Sequence, residues 1–170
     1  MENDRGRIFP YSSRARIVLA VARAIAAGRG DSDVTPVHVA LGLLREGENP
    51  AIAVLQHRAV PLSSLRRELE VLLGPRPGGA QPDEVVRPLT PGERHVVDRA
   101  QQWSRRHGDD HVGPEHLLLA LVADADSLVA STLARHGITP TVVSAALEVV
   151  IHKHARSKPP NGGENSLSDR

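Results

Sequence analysis

The chain has 170 residues, a formal net charge of +1 at neutral pH, no cysteine, and Phe9, Tyr11 and Trp103 as its only Phe, Tyr or Trp residues. Disulfides, thiolate catalysis and cysteine-ligated zinc are therefore excluded, and single-strand nucleic-acid platforms, which need ring faces for stacking bases, are disfavoured. A charge near zero gives no general pull toward phosphate backbones or anionic membranes, no apolar run is long enough to span a bilayer, and Met1-Glu-Asn-Asp has no signal-peptide character, so the expectation is a cytoplasmic protein without nucleic-acid or membrane partners.

Residues 1–10 read as a flexible lead-in. Ser12 or Ser13 then caps a first helix to about Ala27, with Val18, Val21, Ala22 and Ile25 as its apolar stripe and Arg14, Arg16 and Arg23 largely elsewhere. Gly28-Arg-Gly-Asp-Ser-Asp ends it. Thr35-Pro36 opens a second helix to about Glu46, Asn49-Pro50 a short third containing Ile52 and Leu55, and a fourth carries Leu62, Leu65, Leu69 and Leu72 before Gly74-Pro75. Residues 74–88 hold seven Gly or Pro in fifteen positions and read as an exposed linker. Thr90-Pro91 opens helix five with Val96, Ala100 and Trp103 inward, Gly113-Pro114 helix six, Ser127 helix seven, and Thr139-Pro140 helix eight with Val143, Leu147 and Val150. The tail, 156–170, reads as disordered.

The second half repeats the first. Residues 11–73 laid on 89–151 without a gap share fourteen identities, among them Val34/Val112, Pro36/Pro114, His38/His116, Leu41/Leu119 and Leu69/Leu147. They fall on caps and apolar positions, where folding needs them. The segments after Pro36 and Pro114 are too densely apolar for a surface helix and read as the central helices of two four-helix repeats, 11–73 and 89–152. One compact body is expected, because a shared core removes more surface from water than two cores of half the size.

Tyr11-Ser-Ser-Arg-Ala-Arg16 and Leu89-Thr-Pro91 resemble the aromatic-Thr-x-Arg-Ala-Arg openings of Clp N-terminal repeats. Val112-Gly-Pro-Glu-His-Leu-Leu-Leu-Ala-Leu121 is similar to that family's Ile-Gly-Thr-Glu-His-Leu-Leu-Leu-Gly-Leu helix, and Leu43-Leu-Arg-Glu-Gly-Glu48 to the segment after it. The resemblance covers about residues 9–152. It implies an all-α fold of eight helices, two tandem four-helix repeats related by a pseudo-twofold axis, as at the front of ClpA- and ClpC-type unfoldases.

The resemblance also implies a noncatalytic module without cofactor that receives adaptors and substrate peptides for Clp unfoldase and protease subunits, and in ClpC-type members binds phosphorylated arginine. Glu115 matches the family glutamate that accepts the guanidinium, while repeat one has Val37 there; Thr90 and Ser12 match the helix-opening threonine whose hydroxyl and neighbouring N–H groups face a phosphate. Tyr11 matches an aromatic that cyclic peptide antibiotics engage in some ClpC-type domains, and Leu89 replaces it in repeat two. No Gly-x-x-x-x-Gly-Lys-Ser/Thr occurs, and Gly74-Pro-Arg-Pro-Gly-Gly79 lacks the lysine, so the expectation is a freestanding N-domain acting as adaptor, regulator or decoy for a separate Clp machine. The second reading is a protein that sequesters a small molecule or cyclic peptide.

Simpler roles compete for several residues. His38 and His116 are expected to hydrogen-bond a neighbouring helix end and stay neutral, since no nucleophile converges on them in the sequence. Glu115 also suits the positive end of a helix dipole. Asp109-Asp-His111 with His116, and His152-x-His154, lack the i, i+4 spacing of paired imidazole ligands, so no metal is expected. Arg66-Arg67 and Arg105-Arg106-His107 read as solvated faces, Glu46/Glu48 and Asp124/Asp126 as exposed polar loops, and Trp103 as a core filler.

Overall fold

In a computed structural model, residues 10–76 and 89–157 are described, with side chains as far as Val149. They form α1 (Ser13–Arg29), α2 (Pro36–Glu46), α3 (Pro50–His57), α4 (Leu62–Leu72), α5 (Pro91–His107), α6 (Pro114–Val122), α7 (Leu128–Arg135) and α8 (Pro140–Ser157). The expected lead-in over 1–9, the linker over 77–88, the tail from 158 and the side chain of Val150 lie outside the described residues.

The residue before each helix explains why it starts there. Ser12, Asn49, Thr90 and Ser127 each accept a first-turn N–H through a side-chain oxygen, from Ala15, Ile52, Glu93 and Val129 respectively. Proline takes the first helical position of α2, α3, α5, α6 and α8, where no N–H is required. Ser13 and Pro91, Pro36 and Pro114, Pro50 and Leu128, and Leu62 and Pro140 are each 78 positions apart, so all four starts of the first repeat recur in the second. α1 runs two residues past the expected Ala27, to Arg29.

α2 and α6 form the centre. His38 to Leu44 are buried without interruption, as are His116 to Val122, which is the all-round apolar helix anticipated for both. α2 packs substantially against every other helix except α8, and α6 against every other except α4. Cross-repeat contacts are reciprocal: α1 meets α6 as α5 meets α2, and α3 meets α8 as α7 meets α4. The tandem repeats thus share one core about a pseudo-twofold axis.

α1 and α2 cross so closely that a Cβ on Gly42 would lie 2.6 Å from the Val18 carbonyl oxygen. Its counterpart in the second repeat is Ala120, which is buried and keeps its methyl group.

Two positional expectations need correction. The inward face of α1 is Ala15, Val18, Leu19, Ala22 and Ala26, which moves Val21 and Ile25 to the margin; small residues take the inside because α2 approaches so closely. Trp103 is only partly buried, with Ser104 fully buried next to it. The Trp103 ring stacks on His107 with centroids 5.8 Å apart, and the Arg106 guanidinium lies 5.2 Å from its centroid. Trp103 closes the edge of the core and does not fill it.

Candidate functional site

The four residues singled out for ligand binding fall into two corners. In the first, Val112 N–H donates to the Pro10 carbonyl and Ser12 N–H to the Val112 carbonyl, both at 2.9 Å, so Tyr11 runs beside Val112 in a one-residue parallel bridge. That bridge sets the opening of α1 against the opening of α6, and with it Tyr11 and Ser12 against the segment that carries Glu115. In the second corner the Thr90 hydroxyl accepts the Val34 N–H at 3.0 Å and donates to the Val34 carbonyl at 3.3 Å. Thr90 therefore belongs with Val34, Thr35 and Val37, at the opening of α2. Each corner pairs one repeat's helix-opening hydroxyl with the other repeat's central helix.

The corners differ chemically. Tyr11 is half-buried, and burial raises its phenol above the ordinary value although a hydrogen bond from Gln101 opposes the shift. Ser12 Oγ is engaged by the Ala15 N–H at 3.1 Å. Glu115 keeps 18% of its side chain exposed and folds back so that its carboxylate fills the space a Cβ at Gly113 would take. Repeat one has Thr35 and Val37 at those positions, so it carries a side chain where repeat two carries a folded-over carboxylate. At the second corner, Asp31, Asp33, Thr35, Val37 and Leu72 line a hollow of about 400 Å³.

The buried histidines have one arrangement. His38 Nδ1 accepts the Thr35 N–H, and His116 Nδ1 the Gly113 N–H, each at 3.0 Å. With Nδ1 accepting, the proton sits on Nε2 and is donated to Asp31 Oδ2 or Asp109 Oδ2, again at 3.0 Å. Each imidazole thus caps its own helix, where a neighbouring helix end is the partner expected from the sequence. Burial holds both below the usual histidine value, with the nearby carboxylates opposing only in part.

Thr35 Oγ1 also lies 3.0 Å from His38 Nδ1, so Thr35, His38 and Asp31 stand in the order of a nucleophile, base and orienter. Repeat two keeps the aspartate, imidazole and backbone N–H with Gly113 in place of the threonine, so the constant part of the arrangement is a helix cap.

Around the aspartates the repeats diverge. Asp31 Oδ2 takes Arg29 Nε at 2.7 Å as well as His38, and those bonds hold its carboxyl below the usual range against the opposing effect of burial. The position of Arg29 is His107 in repeat two. Among the described residues His107, Asp109 and His116 bring ligand atoms within 4.8 Å of one another. Of the Asp109-Asp-His111 and His116 grouping seen in the sequence, His111 instead pairs with Asp110 at 2.6 Å, and the side chains of His152 and His154 lie outside the described residues.

Three further features were not legible in the chain. Glu46 is nearly buried: it accepts from Arg14 at 2.5 Å and from Asn49 Nδ2 at 2.6 Å, so it ties α1 to the start of α3 where an exposed loop acid was expected. Arg23 Nε donates at 2.9 Å to Glu93, whose carboxylate is buried. An open groove of about 520 Å³ along α1, α2 and α4 has Ile25 and Leu41 in its lining together with Arg45, Arg66 and Arg76, which are exposed. Helical spacing reveals neither the cross-helix pairs nor the convergence of arginines from separate segments.

A family model described as the Clp repeat (R) N-terminal domain matches residues 10–136 and 89–170. The chaperone protein ClpB of Oceanobacillus iheyensis is 33% identical over 129 residues, which is 76% of this chain and 16% of that protein. The chain spans about a sixth of the length of the curated relatives it matches. The crystal structure of the Hsp104 N-terminal domain from Candida albicans superposes with a TM-score of 0.67 at 18% identity, over 83% of this chain and 91% of that one. A structure described as a peptide from the EAEC T6SS Sci1 SciI protein also gives 0.67 at 18% identity, over 89% and 95%. Among the described residues no helix is long and apolar enough to cross a membrane.

Proposed function

Because the chain belongs to the Clp N-terminal repeat family, we propose that it is a noncatalytic docking module whose recognition surface is the corner where α1 opens against α6. The observation that supports this reading is the bridge through Val112, which sets Tyr11 and Ser12 of one repeat beside the segment of the other that carries Glu115. A half-buried aromatic, the positive end of a helix dipole and a carboxylate form a recognition set for a peptide bearing both a cation and an anion, and phosphoarginine is such a group. Glu115 takes the guanidinium, while Ser12 and the first turn of α1 face the phosphate. At the opposite corner Val37 stands in place of the acid, so one such site per chain is expected.

A structure that includes a peptide is among the folds this chain resembles, and that supports peptide docking here. The 170 residues contain no P-loop sequence, so ATP-driven force comes from a ring outside them, and the module serves such a machine as adaptor, regulator or decoy.

Calorimetry with phosphoarginine and with a phosphoarginine peptide tests the site. Binding is expected, with loss of at least tenfold in affinity on Glu115→Ala and a smaller loss on Ser12→Ala. Unchanged affinity in the Glu115 variant removes this corner as the site. Capture of Clp subunits by the immobilised chain supports the adaptor role, whereas retention of an intact cyclic peptide with no protein partner favours sequestration.

A further inference from the structure

We propose that His107, Asp109 and His116 form a zinc site confined to the second repeat. The two repeats hold the same cap, a buried histidine bonded to a partly exposed aspartate, with different side chains in attendance. In repeat one the Arg29 guanidinium sits 2.7 Å from Asp31 Oδ2, supplying a permanent positive charge. In repeat two that position is His107, and Asp109 Oδ2 has His116 Nε2 as its hydrogen-bond partner at 3.0 Å. Two imidazoles and a carboxylate with ligand atoms within 4.8 Å of one another are a zinc donor set, and water completes four-coordination.

His107 lies on the last turn of α5, its ring flat against Trp103 and 6.0 Å from the His116 ring, so the ligands from two helices face each other before any metal arrives.

His116 must release its Nε2 proton to ligate through that nitrogen. The second repeat contains the group that makes this feasible. Glu115 Oε1 is 3.5 Å from His116 Nδ1, and its carboxylate lies over Gly113, whose N–H the imidazole caps in the metal-free form. When zinc takes Nε2, Nδ1 carries the proton and donates to Glu115. This is the carboxylate–histidine–metal relay that orients ligands and raises their basicity. Repeat one lacks both parts: Arg29 replaces the second imidazole and Val37 the outer carboxylate. It serves as an internal control.

The metal-free 170-residue chain titrated with Zn²⁺ is expected to bind one ion per chain, with Mg²⁺ failing to compete. His107→Arg rebuilds the Arg29–Asp31–His38 arrangement and should keep the thermal unfolding midpoint of the metal-free protein while abolishing binding. Glu115→Gln should weaken binding ten- to a hundredfold. In ¹⁵N spectra His116 should change tautomer on zinc addition while His38 does not. Absence of binding at micromolar zinc, the same binding in His107→Arg, or a His116 signal indifferent to zinc each overturns the site. His107→Arg leaves Glu115, Tyr11 and Ser12 in place, so its effect on zinc is separable from phosphoarginine binding.

Discussion

The two repeats have the same helices starting at matching positions, yet they solve three local problems differently. Repeat one brings α1 against α2 with a glycine at the crossing; repeat two keeps a methyl group there, at Ala120. Repeat one ends its third helix with Ala59 in the left-handed region at φ 54°, where repeat two uses Gly137 at φ 73°. Repeat one sets the Arg29 guanidinium on its capping aspartate, where repeat two brings the His107 imidazole near Asp109. Duplication copies the scaffold, and the places where the copies part are those where a side chain touches something its twin does not.

The largest test of that contrast is at the paired leucines of the central helices. Leu119→Ala should cost about 3–5 kcal/mol, because Leu119 is fully enclosed, while Leu41→Ala should cost about 2–3 kcal/mol, because Leu41 borders the open groove and its void is reached by solvent. Denaturant unfolding of the two variants side by side decides it, and equal losses would mean the groove does not relieve the cavity.

Next is the cross-repeat ion pair. Arg23→Ala strips the partner from the buried Glu93 carboxylate and should cost about 2–4 kcal/mol, toward the low end for a broken buried pair because Arg23 is half in solvent. Its counterpart Gln101 faces Tyr11, and Gln101→Ala should cost less than about 1 kcal/mol. At the helix crossing, Gly42→Ala forces a methyl group onto the Val18 carbonyl and should destabilise by about 1–3 kcal/mol. Ala120→Gly should cost only about 1 kcal/mol, mainly helix propensity. Thermal melts that ranked Ala120→Gly above Gly42→Ala would contradict the close crossing.

Exchanging the third-helix caps should move stability in opposite directions. Ala59→Gly relieves a left-handed alanine and should gain about 0.5–1 kcal/mol, and Gly137→Ala should lose about 1 kcal/mol.

The smallest effect is a slope. His38 titrates below the ordinary histidine value in the folded chain because burial disfavours its charge. The unfolded chain therefore binds the proton first, so the stability this residue contributes is intact above about pH 6.5 and declines as pH falls toward its folded value. His38→Gln should start less stable and show a shallower decline between pH 7 and 5.

Much of this was legible in the chain because it is local chemistry. Ser12, Asn49, Thr90 and Ser127 mark helix starts by accepting first-turn N–H groups, Thr35 and Gly113 by standing before a first-turn proline, and the 78-residue echo between His38 and His116 reports one fold used twice. Trp103 sits shallower than its helical spacing suggests, because spacing names a face without saying how deep it lies. Glu46 reads as a loop acid in the chain because its partners Arg14 and Asn49 lie on two other elements. The same limit hid His107 from His116, which meet only because α5 and α6 pack side by side. Glu115 was named from its motif, but its fold over Gly113 depends on the absence of a side chain at Gly113.

The reciprocal ties at Val112 and Val34 bear on how such a chain can be cut or assembled. Ser12 finds its backbone partner in the second half, and Thr90 finds its own in the first. A polypeptide holding one half would have to borrow those partners from another molecule, so the layout is that of a symmetric homodimer whose subunits have been fused head to tail. Expressed separately and mixed, the halves should reconstitute the native helical signal, while each by itself should either self-pair or remain largely unstructured.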